Sequence, residues 1–160
     1  MKPQDFIALI GPAAQASHLQ TSIPASFVVA QAALESAWGE SGLAKRAKNL
    51  FGIKADRSWT GSRIALNTRE FLNQQWLVIP AEWRAYPDWQ ACLVDHGQFL
   101  RRNKRYAACF ACTTGKTFAQ AVARAGYATD PRYADKLITM IDKYQLEALD
   151  PPLNLPPGAA

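Results

Sequence analysis

Apolar side chains recur at helical spacing at both ends of this chain and alternate in its middle. Near the N-terminus Phe6, Ile7, Leu9, Ile10 and Ala13 fall at helix-compatible steps, which predicts a helix over residues 3–16. Ser22-Ile23-Pro24 then offers a cap region with proline at the first helical position, and Phe27, Ala30, Leu34 and Trp38 repeat at three and four until Gly39. Beyond residue 59 the period changes to two. Ser62 to Phe71 alternates, placing Ile64, Leu66, Thr68 and Glu70 on one face of a strand. Asn73-Gln74-Gln75 predicts a turn, and the runs Trp76–Ile79 and Glu82–Tyr86 predict further strands, with Pro80 confining its neighbour to an edge or a loop. Helical spacing returns after Asp88, a good N-cap, with Cys92, Leu93, His96, Phe99 and Leu100 on one face. Shorter helices are predicted over 106–112 and 117–125, and a last one over 131–144 carries Tyr133, Leu137, Ile138, Ile141 and Tyr144 on one side.

These elements add up to an α+β, mainly helical fold with a small antiparallel β-lobe at about residues 59–86. At 160 residues and 49% hydrophobic composition the chain suits one core, here taken as a single domain over 1–149 followed by a Pro-rich tail over 150–160. The longest relevant uncharged stretch, Thr21–Leu34, is 14 residues and contains Pro24, too short for a membrane span. No secretory signal follows Met1-Lys2-Pro3-Gln4-Asp5, so the expectation is synthesis in the cytoplasm and action elsewhere by another route, as for a phage lysin released through a separate pore.

Eighteen Lys and Arg against 13 Asp and Glu leave a formal charge of +5, which favours anionic partners such as an anionic cell envelope. The cluster Arg101-Arg102-Asn103-Lys104-Arg105, with Lys45-Arg46 and Lys48, could supply that contact, but no recognisable nucleic-acid module accompanies it. Cys92, Cys109 and Cys112 read as core packing. Neither they nor His18 and His96 have the spacing of a metal site, so no metal or cofactor is assigned.

The most informative residue is Glu35. The 11 positions from Pro24 to Leu34 carry no charge, and a helix apolar all round is normally buried. On a helical wheel Glu35 lies about 20° from Val28 and about 40° from Gln31, which predicts surroundings poor in water. Partial desolvation and the negative end of the helix dipole would both raise its proton affinity. A carboxylic acid that stays protonated near neutral pH is what glycosidic cleavage needs, because the leaving oxygen must receive a proton as the bond breaks. Glu70, on the face of Ile64 and Leu66, is the candidate second carboxylate.

At these residues the sequence resembles glycoside hydrolase family 73. The likeness runs through Ala30-Gln31-Ala32-Ala33-Leu34-Glu35-Ser36-Ala37-Trp38-Gly39, Asn49-Leu50-Phe51-Gly52-Ile53-Lys54, Thr68-Arg69-Glu70-Phe71, Trp83-Arg84-Ala85-Tyr86 and Gly126-Tyr127-Ala128-Thr129-Asp130-Pro131, over about residues 20–145. Trp83 stands where the family commonly has phenylalanine, and Asp88 where a serine often follows the Tyr-Pro pair. The resemblance implies a lysozyme-like fold and an endo-β-N-acetylglucosaminidase acting on peptidoglycan glycan strands. It also implies Glu35 as general acid, Glu70 as second carboxylate and Tyr127 as the tyrosine near the reacting sugar.

Sugar rings present apolar faces and polar edges, which suit aromatic platforms flanked by amides. Trp38, Asn49, Phe51, Tyr106 and Tyr133 are the substrate-binding candidates, and Asp130 is assigned to capping the last helix. The chain is expected to act as a monomer. Competing functions are a muramidase or lytic transglycosylase on the same fold, a cell-wall-binding module without turnover, and, most weakly, a basic nucleic-acid-binding protein.

Overall fold

The computed structural model describes residues 1–152. Within them six α-helices surround one core: α1 (Pro3–Thr21), α2 (Ala25–Ser36), α3 (Gly42–Ala47), α4 (Trp89–Arg102), α5 (Gly115–Arg124) and α6 (Tyr133–Lys143). Two 3₁₀ segments, Lys104–Ala111 and Leu146–Leu149, complete the helical part. Most of the Pro-rich tail, residues 153–160, lies outside the described residues.

Helix α2 is the axis of the molecule. It packs against α1, α5, α6 and Leu146–Leu149, and its side chains are buried except Leu34 and Glu35. Its uncharged sequence is what makes that position possible, since a charge on any other face would need a buried partner. Pro24 takes the N-cap place rather than the first helical one and gives no side-chain cap. The first N–H groups find partners elsewhere instead: Ala25 N–H donates to His18 Nδ1 at 3.0 Å, and Ser26 donates from its backbone N–H and its hydroxyl to Asp150 at 2.9 and 2.6 Å.

At its other end α2 stops at Ser36, short of the expected Gly39. Ala37, Trp38 and Gly39 all take left-handed backbone angles, φ 50°, 60° and 79°. That turn removes Trp38 from the helical stripe. Helix α3 escaped the periodicity because six residues are too few to show it; only its N-cap Ser41, which accepts from the Ala44 N–H, is a local signal.

In the middle of the chain the expected strand 62–71 is two strands. β1 (Arg63–Ala65) pairs antiparallel with β4 (Glu82–Arg84), and β2 (Thr68–Leu72) with β3 (Gln75–Ile79). The ladder breaks where Leu66 and Asn67 face Pro80 and Ala81, and Pro80 has no N–H to donate. Asn73 and Gln74, at φ 50° and 64°, make the two-residue turn. The β2–β3 hairpin thus projects as a two-stranded arm, with Phe71, Trp76 and Val78 exposed on the face opposite Glu70.

Asp88 caps α4, accepting from Ala91 N–H at 2.8 Å, as expected. Asp130 does not occupy the N-cap of α6, which is Arg132; its carboxylate accepts the N–H of Arg132, two residues further on.

Candidate active site

Glu35 is delivered by the last turn of α2 into a groove of about 400 Å³ whose other walls include Phe51, Ile53, Lys54, Asp56, Tyr106 and Tyr127. The loop after α3 supplies one wall and is held by Asn49. Its amide donates to the Ile53 and Arg84 carbonyls, both at 2.9 Å, while its oxygen accepts from the Gly52 and Ile53 N–H groups. Asn49 is therefore buried and fastens the loop to β4, and it is not among the side chains that line the groove. The 3₁₀ segment brings Tyr106, and the stretch before α6 brings Tyr127.

Beneath Glu35 lies a file of hydrogen-bonded side chains. Tyr133 donates its hydroxyl proton to Glu35 Oε1 at 2.7 Å, Gln31 Nε2 donates to that hydroxyl oxygen at 3.0 Å, and His96 Nε2 meets Gln31 Oε1 at 2.7 Å. Tyr127 stacks on Tyr133 with centroids 5.8 Å apart, and Phe51 stacks on His96. Tyr133 thus supports the carboxyl from below rather than lining the groove.

Glu35 is exposed on its groove side, although the wheel positions of Val28 and Gln31, both buried, predicted a more enclosed carboxyl. The surrounding rings still crowd it. That desolvation raises its pKa above the ordinary carboxyl value, and the Tyr133 hydroxyl opposes the rise by stabilising the anion. Burial, joined by the nearby Glu35 charge, pushes the Tyr127 and Tyr133 hydroxyls well above the usual phenol range, so both stay neutral.

Glu70 faces the less exposed side of β2 with Thr68, as alternation predicted, but it sits on the projecting arm. Its Oε1 is 3.7 Å from Lys54 Nζ, and Lys54 is the groove wall that links the two carboxylates in space. Trp38 lies elsewhere: its ring packs edge-on against Phe6 at 5.7 Å and Tyr144 at 4.9 Å, joining α1 to the end of α6. The left-handed turn after Ser36 turned it into the core and away from Glu35.

Asp56 and Phe99 also line a second, polar cleft, whose other walls include Trp59, Arg84, Asp95 and Arg102. Arg102 and Asn103 are the members of the basic cluster that line it. Arg101 is bound to the Thr21 carbonyl and lies over Phe110, and Lys45 is paired with Glu40. A larger cleft of about 710 Å³ runs along α1 and Trp89, but its carboxylate, Asp88, is occupied as the α4 cap. Among the described residues no three His, Cys, Asp or Glu side chains gather as a metal site, and no helix is long and apolar enough to cross a membrane.

Gln31 and His96, the inner members of the file beneath Glu35, are not singled out by the sequence motifs. Both were legible as polar groups on apolar helical faces, Gln31 one turn before Glu35 and His96 between Cys92 and Leu100.

Residues 11–146 match the family model described as mannosyl-glycoprotein endo-beta-N-acetylglucosaminidase. The chain is 38% identical over 150 residues to the peptidoglycan hydrolase FlgJ of Salmonella typhimurium, covering 91% of this chain and 47% of that protein. It is 35% identical to the exo-glucosaminidase LytG of Bacillus subtilis, covering 92% of this chain and 53% of the relative. It thus spans about half the length of these curated relatives. Its fold superposes on the catalytic domain of the autolysin Auto from Listeria monocytogenes with a TM-score of 0.84 at 33% identity, covering 92% of this chain and 87% of that one. A helical α+β domain with a small β-lobe, a carboxyl at the end of its central helix and these matches have one reading: the chain belongs to the glucosaminidases of glycoside hydrolase family 73.

Proposed function

We propose that this domain hydrolyses the β-1,4 bond between N-acetylglucosamine and N-acetylmuramic acid in peptidoglycan, with Glu35 as the general acid. The observation that carries the reading is the groove-facing Glu35 carboxyl, its proton affinity raised by the rings around it. A protonated Glu35 gives its proton to the glycosidic oxygen as the bond to the sugar carbon breaks, and the bonding pair leaves with that oxygen. Tyr127 and Phe51 offer apolar faces to the sugar beside the cleaved bond. Glu70 acts as the second carboxylate, activating water or stabilising positive charge at the sugar carbon when the arm bends toward the groove.

Cleavage inside a strand is the expected mode, with the neighbouring polar cleft that shares Asp56 and Phe99 available to further sugars of the strand. The relatives named peptidoglycan hydrolase and autolysin support the substrate class. Mass spectrometry of muropeptides released from purified sacculi tests the bond. New N-acetylglucosamine reducing ends are expected; N-acetylmuramic acid ends or anhydro-muramic products would replace this reading with a muramidase or lytic transglycosylase. Glu35→Gln is expected to lower turnover by about 10²-fold or more while sacculus binding persists.

A further inference from the structure

The hydrogen-bond file under Glu35 has a fixed direction. Gln31 Nε2 can only donate, so the Tyr133 oxygen it reaches is an acceptor there, and the one hydroxyl proton of Tyr133 must go to Glu35. Gln31 Oε1 can only accept, so His96 must carry its proton on Nε2. His96 is fully buried and its Nδ1 has no partner, which decides between this arrangement and the flipped one. With the Gln31 amide reversed, its NH2 would face the ring, so His96 Nε2 would have to accept and the imidazole proton would move to Nδ1. An N–H donor would then be buried with no acceptor, a rarer and costlier defect than an unpaired lone pair.

We infer that Gln31 and His96 are positioning residues for Glu35 and act through Tyr133. They make the Tyr133 hydroxyl an obligate donor to one carboxyl oxygen, so that the acidic proton resides on the other, Oε2. No proton travels along the file. Its two inner members only hold the orientation of each hydrogen. This inference rests on Glu35 being the acid, and the remaining groups that face Glu35 set a common background: Tyr127 ahead of α6, Tyr106 of the 3₁₀ segment, and Lys54 and Asp56 of the loop after α3, with Glu70 behind Lys54.

The test combines Gln31→Leu, His96→Asn, Tyr133→Phe and the double variant Gln31→Leu/Tyr133→Phe. Two readouts are needed: the pH profile of kcat and KM on sacculi, and the Glu35 titration followed by NMR of carbon-labelled glutamate in the folded protein. Loss of an ordered donor should move the Glu35 pKa, and with it the high-pH limb of kcat, upward by about one pH unit. It should also cut kcat about tenfold with KM little changed. His96→Asn should shift both less than Gln31→Leu, and in the Tyr133→Phe background Gln31→Leu should add nothing to the Glu35 shift. An unmoved Glu35 titration in folded Gln31→Leu and His96→Asn, or additive shifts in the double variant, overturns the inference. Full activity of Glu35→Gln would instead overturn the catalytic reading while leaving the titration result interpretable.

Discussion

Phe51 lies flat on His96, ring centroids 3.7 Å apart and planes 11° from parallel, so one wall of the groove rests on a buried imidazole. Protonating that ring would put a charge in the core with no anion beside it. Burial accordingly depresses its pKa from 6.5 to about 3.

Stability should therefore depend on this histidine in acid. The folded state keeps His96 neutral down to about pH 3, whereas the unfolded chain takes up the proton near 6.5. Below 6.5 the unfolded state binds more protons, so stability is complete above that pH and falls on acidification toward 3, by on the order of 4 kcal/mol. His18, also lowered by burial and partly restored by Asp150, acts in the same direction. Urea melts from pH 7 to 4 should show that slope, and His96→Phe should flatten it even though the variant leaves Gln31 Oε1 unpaired and is less stable at every pH. An unchanged slope would assign the acid sensitivity elsewhere.

Glu70 and Lys54 should behave as functional rather than structural residues. Their 3.7 Å contact is half-exposed, and such pairs contribute about 0–1 kcal/mol. Glu70→Gln and Lys54→Met should each lower kcat on sacculi while shifting the melting temperature by only a degree or two. A large loss of stability with unchanged specific activity would contradict the role given to the arm.

The arm itself should open more readily than the core. Two strands without a third neighbour hold few buried contacts, and Phe71 and Trp76 are 58% and 63% exposed. Hydrogen exchange in the native state should release the amides of β2 and β3 well before those of α2. Equal protection of the two would mean that the arm is anchored by more than its hairpin ladder.

How far these relationships were legible differs from residue to residue. Glu35 stood out because its helix carries no other charge, and the face of Glu70 followed from period-two alternation; both depend on local spacing, which a sequence displays directly. The split of residues 62–71 depended on Pro80 across the ladder, a cross-strand effect that reading one strand at a time misses. Trp38 followed the helical stripe on paper, but two non-glycine residues in the left-handed region turned it into the core. Asn49 and Tyr133 have the chemistry of sugar-binding groups, but the structure engages them in pinning a loop and a carboxyl, through partners 35 and 98 residues away. The file from His96 to Glu35 unites α4, α2 and α6, and no single-helix pattern contains it.

The start of α2 gives a last expectation, because it is capped from a distance. Pro24 contributes no side-chain cap, and Asp150 takes two hydrogen bonds from Ser26 across 124 residues of sequence. Losing a cap costs about 1 kcal/mol, and more where the freed donors are buried. Asp150→Ala should therefore lower stability by roughly 1–2 kcal/mol. Gly115 makes the same junction sterically exacting: a Cβ there would sit 2.0 Å from Ser26 Oγ and 3.2 Å from the Phe27 nitrogen, so the hydroxyl would have to leave Asp150. Gly115→Ala should destabilise by more than Asp150→Ala, and the two losses should fall short of additive because the first already disrupts the contact the second removes. Gly42→Ala is the contrasting control, since its Cβ meets nothing within 4 Å on a helix with ordinary backbone angles, and it should be neutral or stabilising by up to about 1 kcal/mol. Denaturant melts of the three single variants and the double variant decide this. Simple additivity of Gly115→Ala and Asp150→Ala would show that Ser26 does not couple them.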